Sequence, residues 1–297
     1  MILYGTNPIA WSNDDDPTIG GHISLETCLD QTAEIGFDGT ENGNKFPKDP
    51  AGLKAVLEPR GLAFVSAWTS LDLLQIDVET QKERIAPQVD RLLEMGCRVM
   101  IACETSNTVH GSAVPLSRKP VLEADAMARF GAQVEQIAEW SAARGLPMAY
   151  HHHMGTVVQT PDEIDRFMAA TGPATGFLFD SGHAYFGGGD PAEILAKHIG
   201  RLRHFHAKNV RRPIMEAIQA RDLTFLDGVR QGVFTVPGDP DGAIDFAPLM
   251  AQLAAARYDG WIVIEAEQDP EERDPVEYQS LGLATLKALA AEAGLAA

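Results

Sequence analysis

At 297 residues the chain is longer than an average single domain, yet one α/β barrel accommodates it, with apolar residues enough to bury a large core unaided. Hydrophobic residues at 45% and charged residues at 22% exclude a disordered or fibrous polymer. The 42 acidic against 24 basic side chains leave a formal charge of −18, which argues against nucleic acid or an anionic membrane as partner and favours a small neutral or cationic ligand.

Cys28, Cys97 and Cys103 are sparse, odd in number and without metal-ligand spacing, so they are expected as reduced core residues. The start, Met1 to Asn7, shows no basic segment followed by an apolar run. No stretch approaches the roughly 18 apolar residues of a membrane span. A cytoplasmic location follows as the expectation.

In chain order, Ile2 to Thr6 predicts a first strand, followed by a loop carrying Trp11 and the run Asn13-Asp14-Asp15-Asp16, expected as a solvated face. Ser24, with Thr27 three residues on, predicts an N-cap for a helix that stops at Gly36. A rhythm then sets in of amphipathic stretch, glycine, short apolar run and polar loop. Gly36 precedes Phe37 to Glu41, Gly61 precedes Leu62 to Trp68, and Gly96 precedes Cys97 to Glu104. Gly145 precedes a strand ending in histidines, Gly172 and Gly176 one ending at Asp180, Gly200 one ending at His206, and Gly260 one ending at Glu265. Glycine here is expected as the left-handed helix stop.

The segments between carry helical spacing, as in Ile85, Val89, Leu92 and Leu93, in Met127, Phe130, Val134, Ile137 and Ala138, and in Phe246, Leu249, Met250 and Leu253. Eight strands alternating with about eight helices predict a (β/α)8 TIM barrel as one domain over 1–297, with a long insertion after strand seven, roughly 209–243. A doubly wound sheet also alternates, but a barrel gathers every strand C-terminus into one mouth, which suits so many polar strand ends. An insertion of that length on the functional side is expected as a lid or an interface element.

The functional signal is strongest in Tyr150-His151-His152-His153-Met154-Gly155-Thr156. In extended backbone His151 and His153 share one face, about 7 Å apart, and His152 the other. The three following strands also end in residues that bind metals or move protons: Asp180 with His183, His206 with Lys208, and Glu265 with Glu267. Closing the barrel brings His151, Asp180, His206 and Glu265 to one rim as a mixed nitrogen and oxygen set suited to Mn²⁺, Co²⁺, Fe²⁺ or Zn²⁺, with His153 as the alternative to His151. Glu267 and Lys208 would line the cavity beside it. Asn7, Trp11, Glu41, Trp68 and Glu104 follow or end the first four strands and are candidates for binding a polyol, the tryptophans offering apolar faces to a ring.

These residues carry a resemblance. His at strand five, Asp-x-x-His at strand six, His-x-Lys at strand seven and Gly-x-x-x-x-Glu at strand eight resemble the xylose-isomerase-like barrels of sugar isomerases, epimerases and dehydratases. The stretches Gly5 to Asp15, Tyr150 to Thr156, Phe234 to Asp239 and Glu265 to Pro270 resemble the myo-inosose-2 dehydratases of inositol catabolism. Many superfamily members have Glu where this chain has His151, a departure that removes one of the two opposed bases of an epimerase and is compatible with elimination. The resemblance implies a cytoplasmic hydro-lyase that removes water from 2-keto-myo-inositol. It implies Mn²⁺ or Co²⁺ as cofactor, with Fe²⁺, Zn²⁺ or Mg²⁺ as alternatives, Glu267 or Glu265 as base, and His183 or Lys208 assisting the leaving hydroxyl. A small polyol or cyclitol ketone is then the only partner besides further copies of the chain, as dimer or tetramer. Competing readings are a sugar or cyclitol epimerase on the same barrel, a DNA-repair endonuclease, which the charge opposes, and a polyol-binding protein without turnover.

Overall fold

The computed structural model describes residues 1–295. Its strands, in chain order, are β1 (Ile2–Thr6), β2 (Gly39–Thr40), β3 (Ala63–Phe64), β4 (Trp68–Leu71), β5 (Met100–Glu104), β6 (Met148–His151), β7 (Thr175–Asp180), β8 (Leu202–Ala207), β9 (Asn209–Val210), β10 (Phe234–Thr235) and β11 (Gly260–Ile264). The helices are α1 (Leu25–Ile35), α2 (Pro50–Leu57), α3 (Val78–Glu94), α4 (Ala124–Ala143), α5 (Pro161–Ala170), α6 (Ser181–Phe186), α7 (Pro191–His198), α8 (Arg212–Ala220), α9 (Phe225–Arg230), α10 (Ala247–Ala255) and α11 (Pro275–Glu292).

Nine of the strands form one parallel sheet in the order β3-β2-β1-β11-β8-β7-β6-β5-β4. The expected third strand, Leu62 to Trp68, is the departure. It breaks into β3, which pairs with β2, and β4, which pairs with β5, and the ring passes through residues 65–67, where Val65 N still donates to the Thr40 carbonyl at 2.9 Å and the Ser66 carbonyl accepts from Asn42 N at 3.0 Å. The eight-strand barrel is otherwise the expected one. The wall is all-parallel, so its strands are buried on both faces, and β5, β6, β7 and β11 read as continuous buried runs.

Ser24 caps α1 by accepting from the Thr27 amide, and the predicted apolar faces pack inward: Ile85, Val89 and Leu92 of α3 are buried, as are Met127, Phe130, Val134, Ile137 and Ala138 of α4. Gly36, Gly61, Gly96 and Gly145 take left-handed backbone, as expected of helix stops. Gly172, Gly176, Gly200 and Gly260 do not. Ahead of β8 the helix tightens into a 3-10 turn over Ile199–Arg201, and ahead of β11 Arg257, at φ 52°, takes the left-handed position instead. Gly176 has a different reason, since a Cβ there would meet the Arg203 side chain at 2.3 Å. All three cysteines are buried and free. Among the described residues no helix is long and apolar enough to cross a membrane.

Residues 209–243 are not an unstructured linker. β9 and β10 pair antiparallel around α8 and α9, and Arg211 Nη2 anchors the hairpin on Asp239 Oδ2 at 2.5 Å, both side chains buried. This segment sets Phe225 and Phe234 against His183, at centroid distances of 6.1 and 5.6 Å, so it walls the barrel mouth. The acidic run of the first loop is not a plain solvated face. Asn13 and Asp16 are buried, Asp16 pairs with Arg230 of α9 at 2.7 Å, and Asp14 accepts from the Asn44 amide at 3.0 Å.

Candidate active site

The ends of β6, β7, β8 and β11 meet around a cavity of about 300 Å³ lined by, among others, Asn7, Glu41, Trp68, His153, His206, Glu265 and Glu267. Adjacent strands run in register there, Asp180 opposite His206 and Val263 opposite His206 on its other side, which brings neighbouring strand ends to one level. Local structure then aims each side chain. Asp180 caps α6: its Oδ1 accepts from the His183 amide at 2.8 Å, which leaves Oδ2 turned toward the site. Ser181 Oγ donates to the Lys208 carbonyl at 2.8 Å and accepts from the Lys208 amide at 3.0 Å, stapling β7 to the end of β8. Gly182 makes room for the lysine stem, because a Cβ there would stand 2.5 Å from Lys208 Cγ.

One donor atom from each of His151, Asp180, His206 and Glu265 lies within 4.8 Å of the other three. Each residue also carries one buried polar atom without a hydrogen bond: His151 Nε2, Asp180 Oδ2, His206 Nδ1 and Glu265 Oε2. His206 Nδ1 and Glu265 Oε2 approach to 2.7 Å, but without the alignment of a hydrogen bond. Buried polar atoms are rarely left without partners, and four of them facing one point fit a divalent cation. The opposite edges of the two imidazoles are committed elsewhere. His151 Nδ1 donates to the His152 carbonyl at 2.5 Å, and His206 Nε2 donates to Glu41 Oε1 at 3.0 Å, so in each ring the free nitrogen is the one that faces the cluster.

His153 falls in a neighbouring group with His183 and Glu267, not with the four. His152 points away, as the alternation requires; it stacks on Phe177 at 5.5 Å and its Nε2 accepts from the Asp180 amide at 3.2 Å. Lys208, fully buried, donates to Glu267 Oε1 at 3.1 Å, contacts Glu267 Oε2 at 2.9 Å and Glu265 Oε2 at 3.3 Å, and reaches His183 Nε2 at 3.1 Å.

Burial and charge set the protonation pattern. Burial disfavours the lysine cation, but Asp180, Glu265 and Glu267 outweigh it and raise the Lys208 pKa above its usual value. Burial likewise opposes ionisation of Glu265 and Asp180, yet Lys208 holds both below the ordinary carboxylate range. Glu267 goes the other way, its burial and the Glu265 charge pushing it up to about 7. His153 and His183 are kept neutral chiefly by burial.

Not every predicted residue reaches the cavity. Trp11 is buried against Ala10 and Cys28, donates through Nε1 to Gln31 at 2.6 Å, and borders a void of only about 10 Å³, so it offers no ring face to a ligand. Glu104 is also turned inward, with Oε2 accepting from the Leu73 amide at 2.9 Å and Oε1 from the Ser106 amide at 2.8 Å. Glu41 does line the cavity, but its Oε1 takes His204 at 2.8 Å as well as His206, and its Oε2 accepts from Asn7 Nδ2 at 2.9 Å. Asn7 also donates to Glu265 Oε1 at 3.5 Å, and Trp68 stands over the site, 5.6 Å from His151 and 5.5 Å from His153 between centroids. Sequence reasoning missed His110, Asp14, Asp15, Asn42 and Asn44, which come to the cavity on loops and carry no periodic signal. It also missed His204, although its alternation with His206 along β8 could have found it.

A strand ring with an imidazole and carboxylate cluster at its C-terminal mouth defines a class, and residues 29–289 match the model of that class: the chain belongs to the xylose isomerase-like TIM barrels. Fold similarity extends to solved structures such as the probable 3-DHS dehydratase of petrobactin synthesis from Bacillus anthracis, with a TM-score of 0.68 at 13% identity over 97% of this chain and 98% of that one. Closer relatives narrow the family. The inosose dehydratase of Geobacillus thermodenitrificans is 43% identical over 93% of each chain. The rhizopine catabolism protein MocC of Rhizobium meliloti is 42% identical over 99% of this chain and 90% of its own. Within the barrel class the chain is thus a dehydratase of the inosose dehydratase family.

Proposed function

We propose that the chain removes water from 2-keto-myo-inositol (scyllo-inosose) to give a trihydroxycyclohexane-1,2-dione, with a divalent cation held by His151, Asp180, His206 and Glu265. The observation that carries this reading is the convergence of four unpartnered buried donors beside Glu267 and Lys208 in a cavity sized for a six-membered ring. The names of the curated relatives support the substrate. A bound cation of the Mn²⁺ or Co²⁺ type supplies Lewis-acid stabilisation of the enediolate oxygen that develops when a proton leaves the carbon next to the ketone.

The chain's own residues do the rest. Glu267, whose Oε2 is buried without a hydrogen bond, takes the α-proton as general base. As the C–O bond to the neighbouring carbon breaks, Lys208 gives a proton to the departing hydroxyl, which leaves as water. The proton on Glu267 then passes to Lys208 across their 2.9 Å contact, and both groups return to their starting state. His183 accepts from the Lys208 ammonium through Nε2 at 3.1 Å and steadies it. Glu41 acts as a positioning residue that orients His206, in the manner of a carboxylate behind a metal-ligating imidazole. Trp68 and Asn7 bound the ring.

The test is direct: strip the protein with a chelator, follow diketone formation from inosose by ultraviolet absorbance, and restore Mn²⁺ or Co²⁺. Activity is expected to vanish and return, with the product one water lighter than the substrate. Full activity after stripping ends the metal reading, and a product of unchanged mass replaces dehydration by epimerisation.

A further inference from the structure

The loop leaving β5 delivers to the cavity a histidine that no strand pattern announces. His110 lines the space shared by Trp68, His153, Glu265 and Glu267. Its Nδ1 stands 2.7 Å from Thr108 Oγ1, and that hydroxyl donates to the Gly155 carbonyl at 3.0 Å. A hydroxyl has one hydrogen to give. When that hydrogen goes to Gly155, Thr108 accepts from His110, which places the ring hydrogen on Nδ1 and the lone pair on Nε2, and no hydrogen bond to Nε2 is found among the described residues.

The surroundings hold this arrangement. The Val109 amide donates to the same Gly155 carbonyl at 3.0 Å, so the loop is pinned twice to the turn that ends the histidine run. Approach is close enough to demand glycine: at φ +78° a Cβ on residue 155 would lie 2.8 Å from the His110 backbone nitrogen. His153, Trp68 and Phe225 surround the imidazole at centroid distances of 5.0, 6.2 and 6.4 Å, which fixes the ring plane. Burial lowers the His110 pKa, so the neutral ring is the resting form.

We infer that His110 is a further substrate-binding residue of this cavity, accepting a hydrogen bond through Nε2 from one hydroxyl of the polyol ring and thereby selecting substrates that carry a donor at that position. The assignment rests on the proposed cyclitol ketone substrate. A hydroxyl facing a fixed acceptor is discriminated from a hydrogen, because the analogue lacking it leaves the lone pair desolvated and unmatched. Thr108 is a positioning residue, acting through the tautomer of His110 alone.

The experiment uses metal-loaded enzyme, inosose and its set of monodeoxy analogues. His110→Phe, which keeps an aromatic ring without the acceptor, is expected to lower kcat/KM on inosose about tenfold, the worth of one hydrogen bond. On one monodeoxy analogue it is expected to cost less than about twofold, because the partner hydroxyl is already gone. His110→Gln, whose amide oxygen can accept, recovers part of the loss. An equal loss on every analogue, or no loss on inosose, overturns the assignment. Independently of turnover, nitrogen-15 correlation spectra of the histidine rings should show Nδ1 of His110 protonated and Nε2 bare, with this preference weakened in Thr108→Val; a protonated Nε2 overturns it as well. Failure of the wild-type enzyme to turn over inosose, with the tautomer as assigned, removes the proposed substrate and not the acceptor.

Discussion

The rim of the barrel has two halves that look alike in sequence and differ in what their polar groups find on folding. On the side of β1 to β5, strand ends carry Glu41, Glu104 and, one loop on, Trp11, and nearly every polar atom of these residues is answered by the protein: Glu104 by two backbone amides, Trp11 by Gln31, Glu41 by Asn7 and two histidines. On the side of β6, β7, β8 and β11, four strand ends leave one buried atom each unanswered. The cause lies in the loops. The Leu73 and Ser106 amides turn back onto Glu104, whereas in the turn after His151 amides go to the turn itself, as in His153 N to the Val158 carbonyl and Thr156 N to the His153 carbonyl. A polar strand end marks a site where the following backbone leaves at least one of its buried atoms unsatisfied, as at Asp180, whose Oδ1 is capped while its Oδ2 is not.

The sharpest way to break this comparison is to exchange a carboxylate for an amide on the unanswered side. Asp180→Asn or Glu265→Gln should remove bound metal and lower turnover by about three orders of magnitude or more, as expected when a charge-stabilising group is lost. Mn²⁺ should raise the thermal midpoint of the wild-type protein and leave that of Asp180→Asn unmoved, because ligand binding stabilises only the state that binds. An unchanged metal content, measured by plasma emission, in both variants would mean that the unanswered atoms hold no metal. Next in size is Glu267→Gln, expected to cost about two to three orders of magnitude in kcat with metal content intact. Near-normal turnover would remove Glu267 from the base role.

The two halves were not equally legible. The alternation of His151 with His153, the Asp-x-x-His of α6 and the His-x-Lys of β8 set the second half directly, because register between parallel neighbours turns strand-end position into spatial proximity. The first half misled at Trp11 and Glu104, since whether a loop folds back its amides depends on turn geometry that residue type alone does not encode. The break of the third strand at 65–67 was equally hidden, because the run from Leu62 to Trp68 is apolar on both sides of it, with Ser66 as its one polar residue. His110 reached the cavity through a close approach of two loops at Gly155, a contact between segments some 45 residues apart in sequence that local spacing cannot show.

A smaller effect reads the answered half through pH. Burial, the largest influence on Glu104, pushes its pKa up to about 7, from an ordinary 4.5. The folded state therefore binds more protons than the unfolded state between these values, and stability falls as pH rises from about 4.5 to 7. Glu104 should contribute a loss of about 2 kcal/mol across that window. Urea midpoints measured from pH 5 to pH 8 should drift downward in the wild type, and less steeply in Glu104→Gln, with activity of that variant at pH 8 within about threefold of wild type. An identical slope in both proteins would mean that burial does not raise the Glu104 pKa on folding.

The smallest effects come from the two tryptophans, and they differ in kind. Trp68 is 38% exposed at the cavity mouth, with its Nε1 tied only to its neighbour Ser70 at 3.1 Å. Its ring lies over the imidazoles of β6, so removing it takes away contact with a bound ring and little of the core. Trp68→Ala should therefore raise KM about fivefold, near 1 kcal/mol of binding, with kcat changed less than about twofold. Trp11→Phe loses the bond to Gln31 and part of a packed face, so it should lower stability by about 1 kcal/mol and leave KM as it was. A rise in KM for Trp11→Phe matching that of Trp68→Ala would place both rings at the ligand and erase the boundary between the answered and unanswered halves of the rim.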